Sequence, residues 1–201
     1  MTSTQTVDQN NIVTLLPRCF RTTAEVLAAI PPQRLDAPSP CAEWTVRQVA
    51  NHLVAGAELF ARIAEGQHID PAEFEPTDGP EPDVLGADPA GAYRAATARC
   101  AAAFTRAGVL DEVLRFPSGP TPGFVIVNVC LSESLLHGWD LAHGAGLDYT
   151  PDDAVVAAVT AFGADDDGEA GRANGMYGPV PPVPPDASPF TLLLARSGRS
   201  A

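Results

Sequence analysis

The chain contains 201 residues, of which 45% are hydrophobic and 6% aromatic, and its formal net charge at pH 7 is −13. This length suits one domain with a single core, and apolar residues that are mostly Ala, Val and Leu favour packed helices over a β-sandwich. The strong negative charge argues against binding to nucleic acid or to an anionic membrane surface.

Apolar residues recur at helical spacing in five segments, and each segment predicts a helix. The five helices are expected at residues 9–30, 45–66, 88–108, 124–144 and 150–163. The second helix has the best-marked start, because Thr45 and Gln48 are spaced as a capping box and Trp44 and Val49 as a hydrophobic staple. Thr150 is the predicted N-cap of the fifth helix.

The segments outside these helices are rich in Pro, Gly and acidic residues. Residues 67–86 form a long acidic loop, and the segment PSGPTPG forms a turn before the fourth helix. Near the C-terminus, the apolar stretch FTLLLA is expected to be either a strand or a docked helical turn.

These elements together predict one all-α domain over residues 1–201. The expected architecture is a four-helix bundle with an extra short helix, since each helix carries an apolar stripe. The core of the bundle is placed at about residues 9–163, and residues 164–201 form a Pro-rich tail.

The sequence also indicates the compartment. No apolar run approaches the roughly 20 residues of a membrane span, and the first residues lack the basic start and apolar run of a secretory signal. The four cysteines are widely spaced, without a C-x-x-C pair. We therefore expect a cytoplasmic protein with reduced thiols, a monomer or homodimer, with small molecules as its partners rather than nucleic acid or membrane.

The fourth predicted helix carries an acid and an imidazole, Glu133 and His137, one turn apart on the same face. Cys130 and Asp140 fall in the same arc. Since this helix is apolar nearly all round, it is expected at the centre of the bundle with its polar face turned inward. A buried carboxylate needs a partner, and the partner is either a bound cation or a salt bridge between Glu133 and His137.

His52 is the third residue of interest, because it lies on the inward arc of the second helix. A single inward histidine is more often a hydrogen-bonded core residue than a metal ligand. If the second and fourth helices face each other, however, His52, Glu133 and His137 supply two imidazoles and a carboxylate. That is the ligand composition of an open catalytic zinc site.

Other residues near these ligands have two interpretations each. Asp140 either accepts a hydrogen bond from an imidazole N–H or bonds to the loop before the second helix. Cys130 is a fourth ligand or a resolving thiol, or else a small buried hydrophobe, which is the commoner role. Trp139 is expected to pack in the core, His143 to lie at the helix end, and His68 to be solvated. Asp140 and Cys130 are thus candidates for positions next to the ligands, with a direct role of Cys130 as a fourth ligand left open.

Two motifs, PSPCAEWTVRQVANHLV and, about 80 residues later, ESLLHGWDLAHGAG, carry a family resemblance. They resemble the DinB-like, mycothiol-dependent maleylpyruvate isomerase family, in its N-terminal metal-binding domain. The tail YGPVPPVPPDASPFTLLLARSGR is similar to that of actinobacterial stand-alone proteins of about this length. The resemblance implies an up-down-down-up four-helix bundle with a divalent metal held by His52, Glu133 and His137.

The resemblance also implies a reaction. Mycothiol would bind as thiolate, the nucleophilic form, and attack a small electrophile to give an S-conjugate or an isomerised product. We therefore expect a metal-dependent thiol S-transferase or isomerase with mycothiol as co-substrate, zinc being favoured over nickel or iron. Two alternatives stay open: a thiol-independent metalloenzyme, hydrolytic or in natural-product tailoring, and a non-catalytic protein that binds a metal or ligand.

A dicarboxylic substrate such as maleylpyruvate would favour an arginine near the metal. The fourth helix offers none, because no arginine occurs between Arg115 and Arg172. Maleylpyruvate is therefore disfavoured as the substrate. The candidates on other helices are Arg47, Arg62, Arg94 and Arg99.

Overall fold

A computed structural model describes residues 9–41, 44–70, 82–164, 168–173, 175 and 177–200. In these ranges the chain forms seven α-helices, a short 3₁₀ helix at Pro32–Arg34 and one antiparallel pair of strands. The helices are α1 (Gln9–Ala29), α2 (Val46–Ala64), α3 (Pro89–Phe104), α4 (Gly123–Ala145), α5 (Asp153–Phe162), α6 (Glu169–Ala173) and α7 (Pro189–Arg196). The strands are β1 (Val113–Phe116) and β2 (Gly119–Pro122).

All five predicted helices are present, as α1 to α5; two details differ from the prediction, and one alternative that was left open is decided. The predicted cap Thr150 is wrong: the N-cap of α5 is Asp152, whose carboxylate accepts a hydrogen bond from the Ala154 backbone N–H at 2.9 Å. The segment PSGPTPG contains β2, so it pairs with β1 rather than forming only a turn. FTLLLA belongs to α7, which decides between strand and helix in favour of helix.

The start of α2 follows from local hydrogen bonds. The Thr45 hydroxyl accepts from the Gln48 backbone N–H at 3.3 Å, and the Gln48 side chain accepts from the Thr45 backbone N–H at 2.8 Å. This capping box satisfies two N–H groups that the first turn leaves without helical partners. Because it fixes the first residue of α2, it also fixes the side of the helix on which His52 lies.

Helices α1 and α4 run in the same direction. The Cys19 thiol contacts the Leu131 carbonyl, and the Thr23 hydroxyl donates to the Ser134 carbonyl at 3.1 Å, so residue numbers rise together along both helices. The Tyr93 hydroxyl of α3 lies 2.7 Å from the Ser134 hydroxyl. This buried, hydrogen-bonded group ties α1, α3 and α4 together at mid-height.

Helices α2 and α3 are also parallel to each other and antiparallel to α4. The Arg106 guanidinium, just after α3, donates to the carbonyl of Ala64 at the end of α2. Val46 at the start of α2 lies against Gly144 near the end of α4. With α1 and α2 each packed on α3 and α4, the bundle runs up-down-down-up, as the resemblance implied.

The main apolar cluster lies between these four helices and α5, and α4 is buried along most of its length. The tail returns to this helix: Leu194 of α7 packs against Leu136 and Trp139 on the outer side of α4. None of the helices in the described ranges has the length and apolar character needed to span a bilayer.

Candidate metal centre

The polar centre of the bundle lies between α2 and α4. His52 Nε2 is 2.9 Å from Glu133 Oε2, and His137 Nε2 is 3.3 Å from the same oxygen. The two imidazole ring centroids are 4.9 Å apart, and one potential ligand atom from each of the three side chains lies within 4.8 Å of the others. The structure thus brings together the three residues selected from the sequence, and their metal-binding role stays a prediction.

The three side chains differ in access to solvent. His137 is 11% exposed, whereas the His52 and Glu133 side chains are 35% and 38% exposed. One side of the group is therefore closed by the bundle, and the other side opens to solvent. Such an arrangement leaves room for a molecule beside the three ligand atoms.

Asp140 decides the orientation of His137. Its Oδ2 lies 2.8 Å from His137 Nδ1, and its side chain is fully buried. An ionised carboxylate can only accept, so Nδ1 carries the proton and donates it in this bond. Nε2 is consequently the ring nitrogen that faces Glu133. Of the two interpretations of Asp140, the hydrogen bond to the imidazole is the one observed.

Arg199 is a member of this site that the sequence analysis missed. Its Nε and Nη2 donate to the two carboxylate oxygens of Asp140 at 2.9 and 2.7 Å, and its side chain is 10% exposed. Two of the arginines considered from the sequence are engaged elsewhere. Arg47 pairs with Asp36 and Asp83, and Arg99 pairs with Glu58 and Glu65.

Trp44 is the second residue of the site that the sequence analysis did not assign to it. Its ring centroid is 5.0 Å from that of His52 and 6.2 Å from that of His137, and it is stacked on the latter. It precedes the capping box of α2, and its ring forms an apolar wall against both imidazoles. Its position just before a ligand-bearing helix was the signal available in the sequence.

Hydrogen bonding dominates the protonation of the group. Burial acts to raise the pKa of Glu133, but hydrogen bonds from His137 and His52 outweigh it and hold that pKa well below its usual range. Burial acts to lower the pKa of His137, but hydrogen bonds to Asp140 and Glu133 raise it to about 9. The pKa of Asp140 is lowered against burial by His137 and Arg199. Without a metal, the imidazole of His137 is therefore protonated at neutral pH.

Cys130 lies in the core, with its Sγ 3.7 Å from that of Cys100. It is 3% exposed, and burial raises the pKa of its thiol well above the usual range. Neither group of clustered ligand atoms in the described part of the chain includes it. Its environment is that of a small buried hydrophobe.

A different cysteine approaches the site. Cys41, His137 and Asp140 form a second group whose ligand atoms lie within 4.8 Å of one another. Cys41 is half-buried in the loop before α2, and burial raises the pKa of its thiol. In this group both oxygens of Asp140 already accept hydrogen bonds from Arg199, so its carboxylate is paired with a cationic side chain.

The remaining residues of interest lie away from the triad. Trp139 is buried and packs against Leu194 of the tail. His143 is exposed near the end of α4, with its ring 4.7 Å from that of Trp139. His68 is exposed in a loop, with Nδ1 3.4 Å from a guanidinium nitrogen of Arg115. These positions are those expected from the sequence.

Comparison with known proteins places the chain in a family. The model of the mycothiol maleylpyruvate isomerase N-terminal domain matches residues 16–142, which include the triad and Asp140. Two uncharacterized proteins of Mycobacterium tuberculosis, from strains CDC 1551 / Oshkosh and ATCC 25618 / H37Rv, are each 31% identical over 180 residues, covering 88% of this chain and 92% of theirs. No solved structure matches significantly. The chain belongs to the mycothiol maleylpyruvate isomerase N-terminal domain family.

Proposed function

We propose that this protein is a metal-dependent enzyme that uses a low-molecular-weight thiol, mycothiol in its own cell, to convert a small electrophile. The product is either the S-conjugate or an isomer formed after the thiol has left. One observation carries the proposal: two imidazoles and a carboxylate converge, open to solvent on one side, in a chain of a mycothiol-related family.

The residues present fit a divalent cation. His52 Nε2, Glu133 Oε2 and His137 Nε2 would hold it, and two nitrogen donors with one carboxylate oxygen suit zinc, while nickel or iron would accept the same atoms. The bond from His137 Nδ1–H to Asp140 is the contact that metal-bound histidines commonly make on their far side. A metal here would supply Lewis acidity that holds a bound thiol in its nucleophilic, deprotonated form at neutral pH.

The chain itself contributes orientation and access. Asp140 fixes the ring of His137, and Trp44 stacks on that ring and lies tilted against the ring of His52. The half-exposed side chains of His52 and Glu133 border the open side, where thiol and electrophile would meet. Holding both reactants beside each other removes much of the entropic cost of their encounter.

The charges near the triad favour a weakly polar electrophile. Arg199, which lies at the site, is engaged within the protein, because its Nε and Nη2 donate to Asp140 and its Nη1 donates to the Ser197 carbonyl. A dicarboxylate would therefore lack the bidentate partner that usually selects it. Of the long acidic loop predicted at residues 67–86, residues 71–81 lie outside the described ranges.

The metal is tested first. Protein purified without chelator is analysed for zinc, nickel and iron, and we expect about one equivalent in the wild type and near none in His52→Ala or His137→Ala. His68→Ala is the matched control, since it removes an exposed histidine away from the triad and should keep the metal. Unchanged metal content in both triad variants would exclude the triad as the binding site.

The reaction is tested with mycothiol and two weakly polar electrophiles, 1-chloro-2,4-dinitrobenzene for S-transfer and dimethyl maleate for cis–trans isomerisation, and maleylpyruvate serves for comparison as the disfavoured dicarboxylate. We expect turnover that chelator removes, that zinc restores, and that His52→Ala lacks. A zinc-free protein as active as the zinc-loaded one would refute metal dependence. Turnover that ignores added mycothiol would favour the thiol-independent metalloenzyme, and zinc binding without any turnover would favour the non-catalytic relative.

A further inference from the structure

The carboxylate of Asp140 has no exposed surface, and its partners come from two distant parts of the chain. His137 donates from the same helix, and Arg199 donates two hydrogen bonds from the C-terminal tail. A buried carboxylate is costly unless it is paired and fully hydrogen-bonded. The guanidinium therefore supplies the charge that allows Asp140 to stay ionised next to His137.

Arg199 is held in place by the way α7 ends. The backbone N–H of Arg199 bonds the Leu194 carbonyl at 2.9 Å, and that of Gly198 bonds the Ala195 carbonyl at 2.9 Å. This pair of bonds, with Gly198 at a φ of 78°, is a Schellman motif, which turns the chain sharply after a helix. Leu194 is 1% exposed beneath it, against α4. The turn thus directs the Arg199 side chain back to α4.

The guanidinium also restricts what Asp140 can do. Its fork engages both carboxylate oxygens and therefore competes with a cation shared with Cys41, although Cys41, His137 and Asp140 are close enough to form such a group. With the carboxylate fixed, the hydrogen bond from His137 Nδ1–H is fixed as well. The remaining nitrogen, Nε2, is then held toward Glu133 and His52.

We propose that Arg199 is a positioning residue of the metal centre, acting through Asp140 to present His137 Nε2 to the metal. This inference rests on the proposed metal-binding function. If Arg199 has this role, the functional site extends beyond residues 16–142, the part that the family model covers, into the C-terminal tail.

The test measures zinc affinity by competition with a chromogenic chelator at constant pH. Arg199→Ala should bind zinc about 10- to 100-fold more weakly than the wild type, the usual effect of losing an outer contact to a ligand. Arg199→Lys keeps the positive charge but replaces the forked guanidinium by one ammonium group. Its zinc affinity should therefore lie between those of the wild type and Arg199→Ala. Methylguanidinium, added to Arg199→Ala at millimolar concentration, should restore part of the affinity, which a purely structural role of Arg199 would not allow.

Two controls separate this role from other effects. Arg196→Ala removes another tail arginine, which donates to the Gly163 carbonyl rather than to Asp140, and should leave the zinc affinity within about twofold. The Arg199→Ala measurement is repeated in a Cys41→Ser background, because Asp140 freed from Arg199 could otherwise bind zinc together with Cys41.

The outcomes are distinguishable. If the wild type binds none of zinc, nickel and iron, the proposed function fails. If the wild type binds zinc and Arg199→Ala binds it equally well in the Cys41→Ser background, the proposed function stands and the role of Arg199 is refuted. Equal losses in Arg199→Ala and Arg196→Ala would assign the effect to docking of the tail and would also refute it.

Discussion

Gly138, the residue between His137 and Trp139, allows α4 to lie close to its neighbours. A Cβ atom added there would lie 2.7 Å from the Thr23 hydroxyl oxygen of α1 and 2.8 Å from the Tyr149 hydroxyl oxygen. Both distances are shorter than an ordinary van der Waals contact, which begins at about 3.4 Å. Gly138→Ala therefore tests whether this close approach, which also positions His137, is needed.

Two opposing effects set the size of the change. Alanine in a helix interior is favoured over glycine by about 1 kcal/mol. Against this, each hydroxyl must retreat by about 0.6 Å or more to reach 3.4 Å from the new methyl group. The Thr23 hydroxyl bonds the Ser134 carbonyl at 3.1 Å and the Tyr149 hydroxyl bonds the Leu135 carbonyl at 3.2 Å, so retreat weakens two hydrogen bonds. Weakening these bonds and overpacking the helices together cost about 2–4 kcal/mol. After the gain of about 1 kcal/mol from alanine, the free energy of unfolding should fall by about 1–3 kcal/mol.

The assay is urea and thermal unfolding of the zinc-free protein. The net loss corresponds to a fall of about 2–12 °C in the melting temperature of a chain of this size. Gly56→Ala in α2 is the matched control: among the described residues its Cβ would meet only the Phe60 ring, at 4.0 Å, so it should stabilise by up to about 1 kcal/mol. Thr23→Ala should reduce the cost of Gly138→Ala in a double-mutant cycle. A Gly138→Ala protein about 1 kcal/mol more stable than the wild type would refute the reasoning.

Three further properties can be predicted from the described contacts. Zinc binding at pH 7 should release close to one proton, because a pKa of about 9 keeps His137 protonated without metal and a ligand imidazole must be neutral. Calorimetry in buffers of different ionisation enthalpy counts the released protons. A count of zero would contradict this prediction. Asp152→Ala should cost about 1–2 kcal/mol at pH 7, since it removes the cap of α5 and the partner of Arg18. The pKa of Asp152 is lowered in the folded protein, so this stability is present at neutral pH, and the difference in urea unfolding should shrink below about pH 4. Trp44→Phe should abolish most of the fluorescence change caused by zinc, whereas Trp139→Phe should preserve it, because the Trp44 ring lies against both imidazoles.

Local signals in the sequence were enough to predict the bundle helices. The capping box of Thr45 and Gln48 acts within four residues, and an apolar stripe acts within one helix, so neither depends on distant contacts. The hairpin of β1 and β2 was not foreseen, because β2 has the sequence Gly-Pro-Thr-Pro, and proline removes N–H donors from a strand. Its formation depends on its pairing with β1 and on packing against α2 and α4.

In the candidate site, too, features set by the local sequence could be predicted, whereas features that depend on distant contacts could not. The directions of His52, Glu133 and His137 follow from helical periodicity, which is why their convergence was predictable once α2 and α4 were assumed to face each other. Arg199 follows α7 at a sharp turn, and its direction depends on how the tail docks. No periodicity extends across such a turn, so the partner of Asp140 could not be predicted from the sequence.

The pairing of Arg199 with Asp140 also determines the charge that the proposed centre presents to a ligand. Asp140 and Arg199 cancel each other, which leaves Glu133 as the one uncompensated carboxylate among the residues that bond one another at the site. In the metal-free protein the proton on His137 balances it, in line with the raised pKa of that imidazole. A divalent cation held by neutral His52 and His137 and by Glu133 would instead leave one net positive charge on the open side. An anionic ligand, either a thiolate or a hydroxide, would compensate that charge and a neutral molecule would not, so the charge balance fixed by the tail is compatible with the proposed thiolate.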